Sequence, residues 1–127
     1  MKKYLSYLII FAAGAGLGAS ITGLGAAESQ IKPAYLIVSS DRHPGADYGP
    51  YSEAAGPLAR DVGLQMLASS QEPLVLEGNW PYKKLAVEIF PSMDALKGFW
   101  YSDAYQEAKK LREGLATVNF IVAVEGN

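Results

Sequence analysis

No cysteine occurs among the 127 residues. That single absence removes disulfides, thiolate metal sites, cysteine nucleophiles and a lipid-anchor cysteine together. Histidine is nearly missing too. His43 stands alone, so a His-rich metal site within one chain is excluded. There is no basic surplus: the net charge is -2, and Lys and Arg occur singly or in pairs among Asp and Glu. A nucleic-acid partner is therefore not expected. No phosphate loop, nucleophile elbow, metal-spaced cluster or paired catalytic Asp and Glu motif is present either. The sequence predicts no cofactor and no metal.

Charge is also lacking locally. From Tyr4 to Ala27 no residue is charged, and Lys2 and Lys3 precede that stretch. Leu5 to Ala13 is strongly apolar, and small residues then dominate as far as Ala27. A basic start, an apolar middle and a small-residue end predict a secretory signal peptide over residues 1–27, cleaved after Ala27. An uncleaved anchor is the other reading, because a span needs about 20 apolar residues and Gly14 and Gly18 form a small-residue pair. Both readings keep the two lysines cytoplasmic and put the remaining domain outside, periplasmic or secreted, or held at the inner membrane.

What is present is a domain over residues 33–127, after a polar linker at 28–32. Half of all residues are hydrophobic, which argues against disorder. "AYLIVS" at 34–39 predicts a first strand, and "DRHPGADYG" at 41–49 a loop. Tyr51, Ala55, Leu58 and Val62 share one helical face. Pro57 within it predicts a kink or restart, and Gly63 a stop. Strands follow at 64–69 and 84–90, with "LVLEG" at 74–78 as an extension or hairpin arm of the earlier one. Ser92 is placed to cap a helix carrying Met93, Leu96 and Trp100. A second stripe runs through Ala104, Ala108, Leu111 and Leu115, and a last strand spans 118–124. The order is βαββαβ, a ferredoxin-like α+β fold: a four-stranded antiparallel sheet with two helices on one face.

The strands are apolar on both parities, at 35–38, 85–87 and 120–124. An antiparallel sheet with a wet face should alternate. Helices cover one face only, so the other requires a cover, and a second copy in a two-fold homodimer is the simplest.

"FWYSDAYQ", 99–106, holds four aromatic residues in eight. One reading makes it a packed corner, with Ser102 capping a helix that starts at Asp103. The other makes it a ligand face, in which Tyr101, Tyr105, Ala108 and Arg112 form a stripe presenting two phenols and a guanidinium. Glu88 lies inside an apolar strand and needs either a cationic partner, Arg112 or Lys84, or a raised pKa. His43 and Trp80 are further ligand-binding candidates, as is Trp100. His43 is a loop residue able to titrate near neutrality, and Trp80 sits in a turn at the core edge or dimer seam.

The segments "AYLIV", "VLEGNW" at 75–80, "VEIFPSMDAL" at 87–96 and "FWYSDAYQEAKKLR" at 99–112 resemble the family called domain of unknown function 1330. The resemblance implies the dimeric α/β-barrel group. That group includes monooxygenases, isomerases and haem-binding enzymes, whose sites commonly lie between sheet and helices. Three functions are compatible with the sequence. One is a small-molecule-binding or accessory domain with a pocket between sheet and helices. Another is a cofactor-independent enzyme on a small organic acid or aromatic, with Glu88 as base, Arg112 as anion anchor and Tyr105 as donor. The third is a structural dimer scaffold.

Overall fold

The computed structural model describes residues 30–127. The predicted signal peptide or anchor, and the first residues of the linker, lie outside the described residues. Among the described residues no helix is long and apolar enough to cross a membrane.

The four strands are β1 (Ala34–Arg42), β2 (Gln65–Ser70), β3 (Leu85–Phe90) and β4 (Ala116–Glu125). They form one antiparallel sheet in the order β2-β3-β1-β4. The helices are α1 (Gly49–Asp61), α2 (Met93–Trp100) and α3 (Asp103–Lys110). Leu36 sits opposite both Glu88 and Ala123, and Val38 opposite Ala86 and Ile121. That parity faces the helices. Ala34, Leu36 and Phe90 are buried with Ala55, Leu96, Phe99, Tyr105 and Ala108 in one core.

Local chemistry sets the boundaries. Pro50 supplies a preset φ in the first turn of α1, and the Asp47 carboxylate accepts from the Gly49 N–H at 2.8 Å. Gly63 has φ 77°, and a Cβ there would lie 2.9 Å from the Pro91 ring, so only glycine closes this turn. The Ser92 hydroxyl caps α2 by accepting from Ala95 N at 3.0 Å. Ser102 does two jobs. Its hydroxyl donates to Phe99 O at 2.8 Å and accepts from Tyr105 N at 3.1 Å, so it ends α2 and starts α3. Ser102→Ala is expected to cost about 1 kcal/mol, lowering the melting temperature by roughly 4–8 °C. Thermal unfolding followed by circular dichroism measures it.

The structure corrects several expectations. β1 continues to Arg42 instead of ending at Ser39, because β4 inserts one residue, Asn119, opposite the Ser39–Ser40 step. Ser39, completely buried, donates to Lys84 O at 2.7 Å, and Asn119 Nδ2 donates to Ser39 Oγ and Asp41 Oδ2, both at 3.0 Å. The bulge is thus held by side chains and the strand pairs on past it. α1 begins at Gly49, two residues early, and runs through Pro57 as one helix without a restart. The 74–78 segment neither extends β2 nor forms a hairpin arm: it is a run of bends with Gly78 at φ 87°. Leu111 and Leu115 are not on a helical stripe, since α3 ends at Lys110 and turns follow to Gly114. The corner at Ser102 makes three helices of the predicted two.

On the sheet face away from the helices lie Tyr35, Ile37, Val87, Ile89, Val122 and Val124, cross-strand neighbours by register. Val122 and Val124 are each 49 % exposed. Trp80 and Tyr82 pack edge-on against Phe120 at 6.0 and 5.8 Å, at the end of this face.

Candidate functional site

A cavity of about 210 Å3 opens between the sheet and the helices. Its floor is the helix-facing parity of the sheet: Leu36, Val38, Ala86 and Ile121, with Glu88 at one end and Lys84 at the other. Its roof is aromatic, with Tyr51 from α1, Trp100 from the end of α2 and Tyr105 from α3. The aromatic corner therefore serves both readings of the sequence at once. Phe99 packs inward, 5.6 Å from Phe90 and 4.3 Å from Tyr105 between ring centroids. Trp100 and Tyr105, 5.2 Å apart, turn to the cavity. The corner is locked by Gln106 Nε2, which donates to Trp100 O at 2.6 Å.

The polar groups have distinct characters. The hydroxyls of Tyr51 and Tyr105 are hydrogen-bonded at 3.0 Å. One donates to the other, which leaves one O–H free to donate elsewhere. Burial, reinforced by Tyr105, raises the Tyr51 phenol far above its usual pKa, so the Tyr51 hydroxyl acts as donor and not as base. The Arg112 guanidinium lies over the Tyr51 ring, 5.6 Å from its centroid. Burial opposes its charge, but the Tyr105 and Tyr51 hydroxyls favour it more, and its pKa is raised on balance. Glu88 is also raised: burial pushes its carboxyl upward, with Lys84 opposing. Lys84 acts on Glu88 only through its charge, and neither Lys84 nor Arg112 forms an ion pair with it. The one ion pair among the described residues is Lys110–Glu107, 2.7 Å, on the surface.

Sequence reasoning thus named four residues that the fold brings together: Glu88, Tyr105, Arg112 and Trp100. Three others lie apart. His43 donates from Nδ1 to Gly114 O and shares a hydrogen bond between Nε2 and the Thr117 hydroxyl, both at 3.0 Å, tying the end of β1 to the turn before β4 and to β4 itself. Trp80 packs edge-on against Tyr82 and Phe120. Tyr101 is 73 % exposed beyond the last turn of α2. Residues missed by the sequence are Tyr51, counted there only as a helix-face residue, and Arg42, Tyr48 and Lys84 as cavity groups. The "DRHPGADY" run carried two of them, but a loop composition gives no direction for its side chains.

The family model described as "Domain of unknown function (DUF1330)" matches residues 33–127. No protein of curated function matches this chain. A solved protein of unknown function from Rhodopseudomonas palustris is 19 % identical, with a TM-score of 0.59 over 85 % of this chain and 92 % of that one. A second, from Bacteroides fragilis, is described as a dimeric protein of unknown function with a ferredoxin-like fold. It is 11 % identical, with a TM-score of 0.46 over 78 % of this chain and 100 % of that one. The Rhodopseudomonas palustris likeness shows a shared fold alone and assigns no activity.

Proposed function

We propose that this chain, which belongs to the DUF1330 family, is an exported homodimeric protein that binds a small organic acid in the cavity between sheet and helices. One observation carries the reading. A permanent cation, Arg112, and a neutral phenol pair border a cavity whose floor is apolar. A carboxylate would take the guanidinium fork and the free phenolic O–H. Its hydrocarbon part would lie on Val38, Ala86 and Ile121. At about 210 Å3 the cavity is below the roughly 300–1,000 Å3 of drug-sized pockets, which favours a small metabolite. The direct test is isothermal titration of the full chain with short carboxylic acids. Binding lost in Arg112→Gln supports the reading, and absence of binding overturns it.

A second reading, a cofactor-independent enzyme, is favoured by the position of Glu88 on the same cavity. Here Glu88 takes a proton from a substrate whose carboxylate Arg112 holds, while a tyrosine O–H donates to the developing charge. A base with a raised pKa on the same cavity as an anion anchor suits that chemistry.

The Glu88 shift has a measurable sign. Its folded-state pKa is raised, so the folded protein holds this proton more tightly than the unfolded chain does. Stability is greatest with the carboxyl protonated and falls as pH rises through the folded pKa. Glu88→Gln removes that loss. The variant is expected to melt with wild type at about pH 4 and a few degrees above it at about pH 8. A gap independent of pH contradicts burial of the charge as its cause.

The homodimer is supported by the uncovered apolar sheet face and by the exposed apolar segment at 74–76. Leu74 and Leu76 are 85 % and 88 % exposed, an arrangement costly in water and natural for an arm laid on a second copy. Export rests on the uncharged stretch from Tyr4 to Ala27. Amino-terminal sequencing of protein recovered from the cell envelope should begin at Glu28. A start at Met1 would mean a retained anchor.

A further inference from the structure

We infer that the acid group of the ligand is a dianionic phosphate, the head of a small phosphomonoester, seated where β1 ends and β3 and β4 begin. The inference rests on the organic-acid reading above and deepens it by naming the acid. Arg42, Lys84 and Arg112 all line the cavity, and none of them forms an ion pair among the described residues. A carboxylate, with its single charge, would match only one of the three.

The fold gathers these cations at one end of the sheet. Arg42 is the last residue of β1 and sits opposite Ala116, the first of β4. The next residue, His43, donates its N–H to Leu115 O at 2.9 Å, and Leu115 N donates to Arg112 O at 3.1 Å. The turn that carries Arg112 is thereby stapled to the end of β1. Lys84 arrives on the other side of β1. It immediately precedes β3, its carbonyl accepts from the Ser39 hydroxyl at 2.7 Å, and its N–H donates to Asp41 Oδ1 at 3.1 Å. Three segments far apart in sequence thus each bring a cation to the end of one strand.

Acidic side chains do not cancel this charge. Glu88, the one carboxyl lining the cavity among the described residues, lies further along β3, opposite Leu36. Asp41 borders a neighbouring hollow with Arg42 and Lys84. Its oxygens are already engaged: Oδ1 accepts from the N–H groups of Lys83 and Lys84, and Oδ2 from Asn119 Nδ2. Even with Asp41 set against the three cavity cations, two positive charges remain, which a phosphate dianion matches. Two neighbouring rings hold the guanidiniums. Arg42 lies 3.9 Å over Tyr48 and Arg112 5.6 Å over Tyr51, and the two rings meet edge-on at 5.8 Å. A guanidinium stacked on a ring keeps its in-plane N–H groups for an oxyanion. The Ser40 and Ser52 hydroxyls line the same cavity as neutral donors. The ester body would lie on the apolar floor of Val38, Ala86 and Ile121.

The experiment is isothermal titration of the purified full chain, at about pH 8 where the phosphate is a dianion, with phenyl phosphate, phenyl sulfate, benzoate and inorganic phosphate. Phenyl sulfate keeps the shape of phenyl phosphate with one charge fewer. Phenyl phosphate is expected to bind at least about tenfold more tightly than each of the other three. Arg42→Gln, at an exposed strand end that leaves the core untouched, is expected to lower that affinity at least about tenfold, as is Lys84→Met. Lys83→Gln removes a charge that borders only the neighbouring hollow, and should leave the affinity within about twofold. Equal affinity for phenyl phosphate and phenyl sulfate, inorganic phosphate binding as tightly as the ester, or an equal loss in Lys83→Gln overturns the inference. In those cases benzoate binding that depends on Arg112 shows that the organic-acid reading still stands. No binding by any of the four overturns both.

Discussion

Val122→Glu is expected to yield a monomer that keeps its fold. Val122 lies in the middle of β4, opposite Ile37, on the face turned away from the helices. It is half exposed in the single chain, so a carboxylate there stays in water and changes the stability of the monomer by no more than about 0.5 kcal/mol. In a face-to-face dimer the same carboxylate loses its water. The strand positions around it are Tyr35, Ile37, Val87, Ile89 and Val124, and none carries a positive charge to pair with it. Burying an unpaired charge costs several kcal/mol, and two-fold symmetry applies the cost twice. Each 1.4 kcal/mol is about tenfold in Kd, so dimerisation should weaken by at least about a thousandfold. Sedimentation equilibrium over a concentration series reads this directly. Ala104→Glu, on the exposed face of α3, is the control and should leave the dimer intact. A Val122→Glu dimer as tight as wild type would remove the sheet face from the interface.

Phe99→Ala is expected to unfold the site before it unfolds the protein. Phe99 is 5 % exposed and packs between Phe90 and Tyr105. Truncation removes the ring and leaves a void, at a cost of about 3–5 kcal/mol. A domain of this size is stable by only about 5–15 kcal/mol, so the melting temperature should fall by more than about 12 °C. The effect on the cavity is separate. Tyr105 rests on Phe99, and its hydroxyl is held by Tyr51 and lies beside Arg112. With Phe99 gone, Tyr105 can tip into the void and the donor pair is lost. Carboxylate binding should therefore fall below that of Ser102→Ala when both are measured well below their melting temperatures. Retained affinity in Phe99→Ala would mean that the corner does not position the cavity.

Much of this architecture was readable in the residues, because each element carries its own punctuation. Ser92 and Ser102 announced their caps, Gly63 its stop, and the double-parity strands an uncovered face. Phe99 and Tyr105 were legible as packing by size alone. The bulge at Asn119 was not legible, since it exists only through the pairing of two strands 80 residues apart and the side chains that hold it. The same distance hid half of the cavity. Glu88, Tyr105 and Arg112 stood out by type, but the helical stripe through Tyr101, Tyr105, Ala108 and Arg112 does not exist, because Tyr101 lies before the Ser102 corner and Arg112 in the turn after Lys110. Arg42, Lys84 and Tyr48 gain their meaning only when β1, β3 and α1 are brought together. His43 and Trp80 show the converse: a residue scarce in the chain attracts a functional reading, yet both have packing or hydrogen-bonding partners elsewhere.

The central claim is that a dimer carries a small organic acid at Arg112. Native mass spectrometry of the intact protein, recovered gently from its source cell, tests it in one spectrum. The account predicts a dimer with up to one small acidic adduct per chain, which disappears in Arg112→Gln while the dimer remains. A monomer, or an adduct that persists in Arg112→Gln, would contradict it.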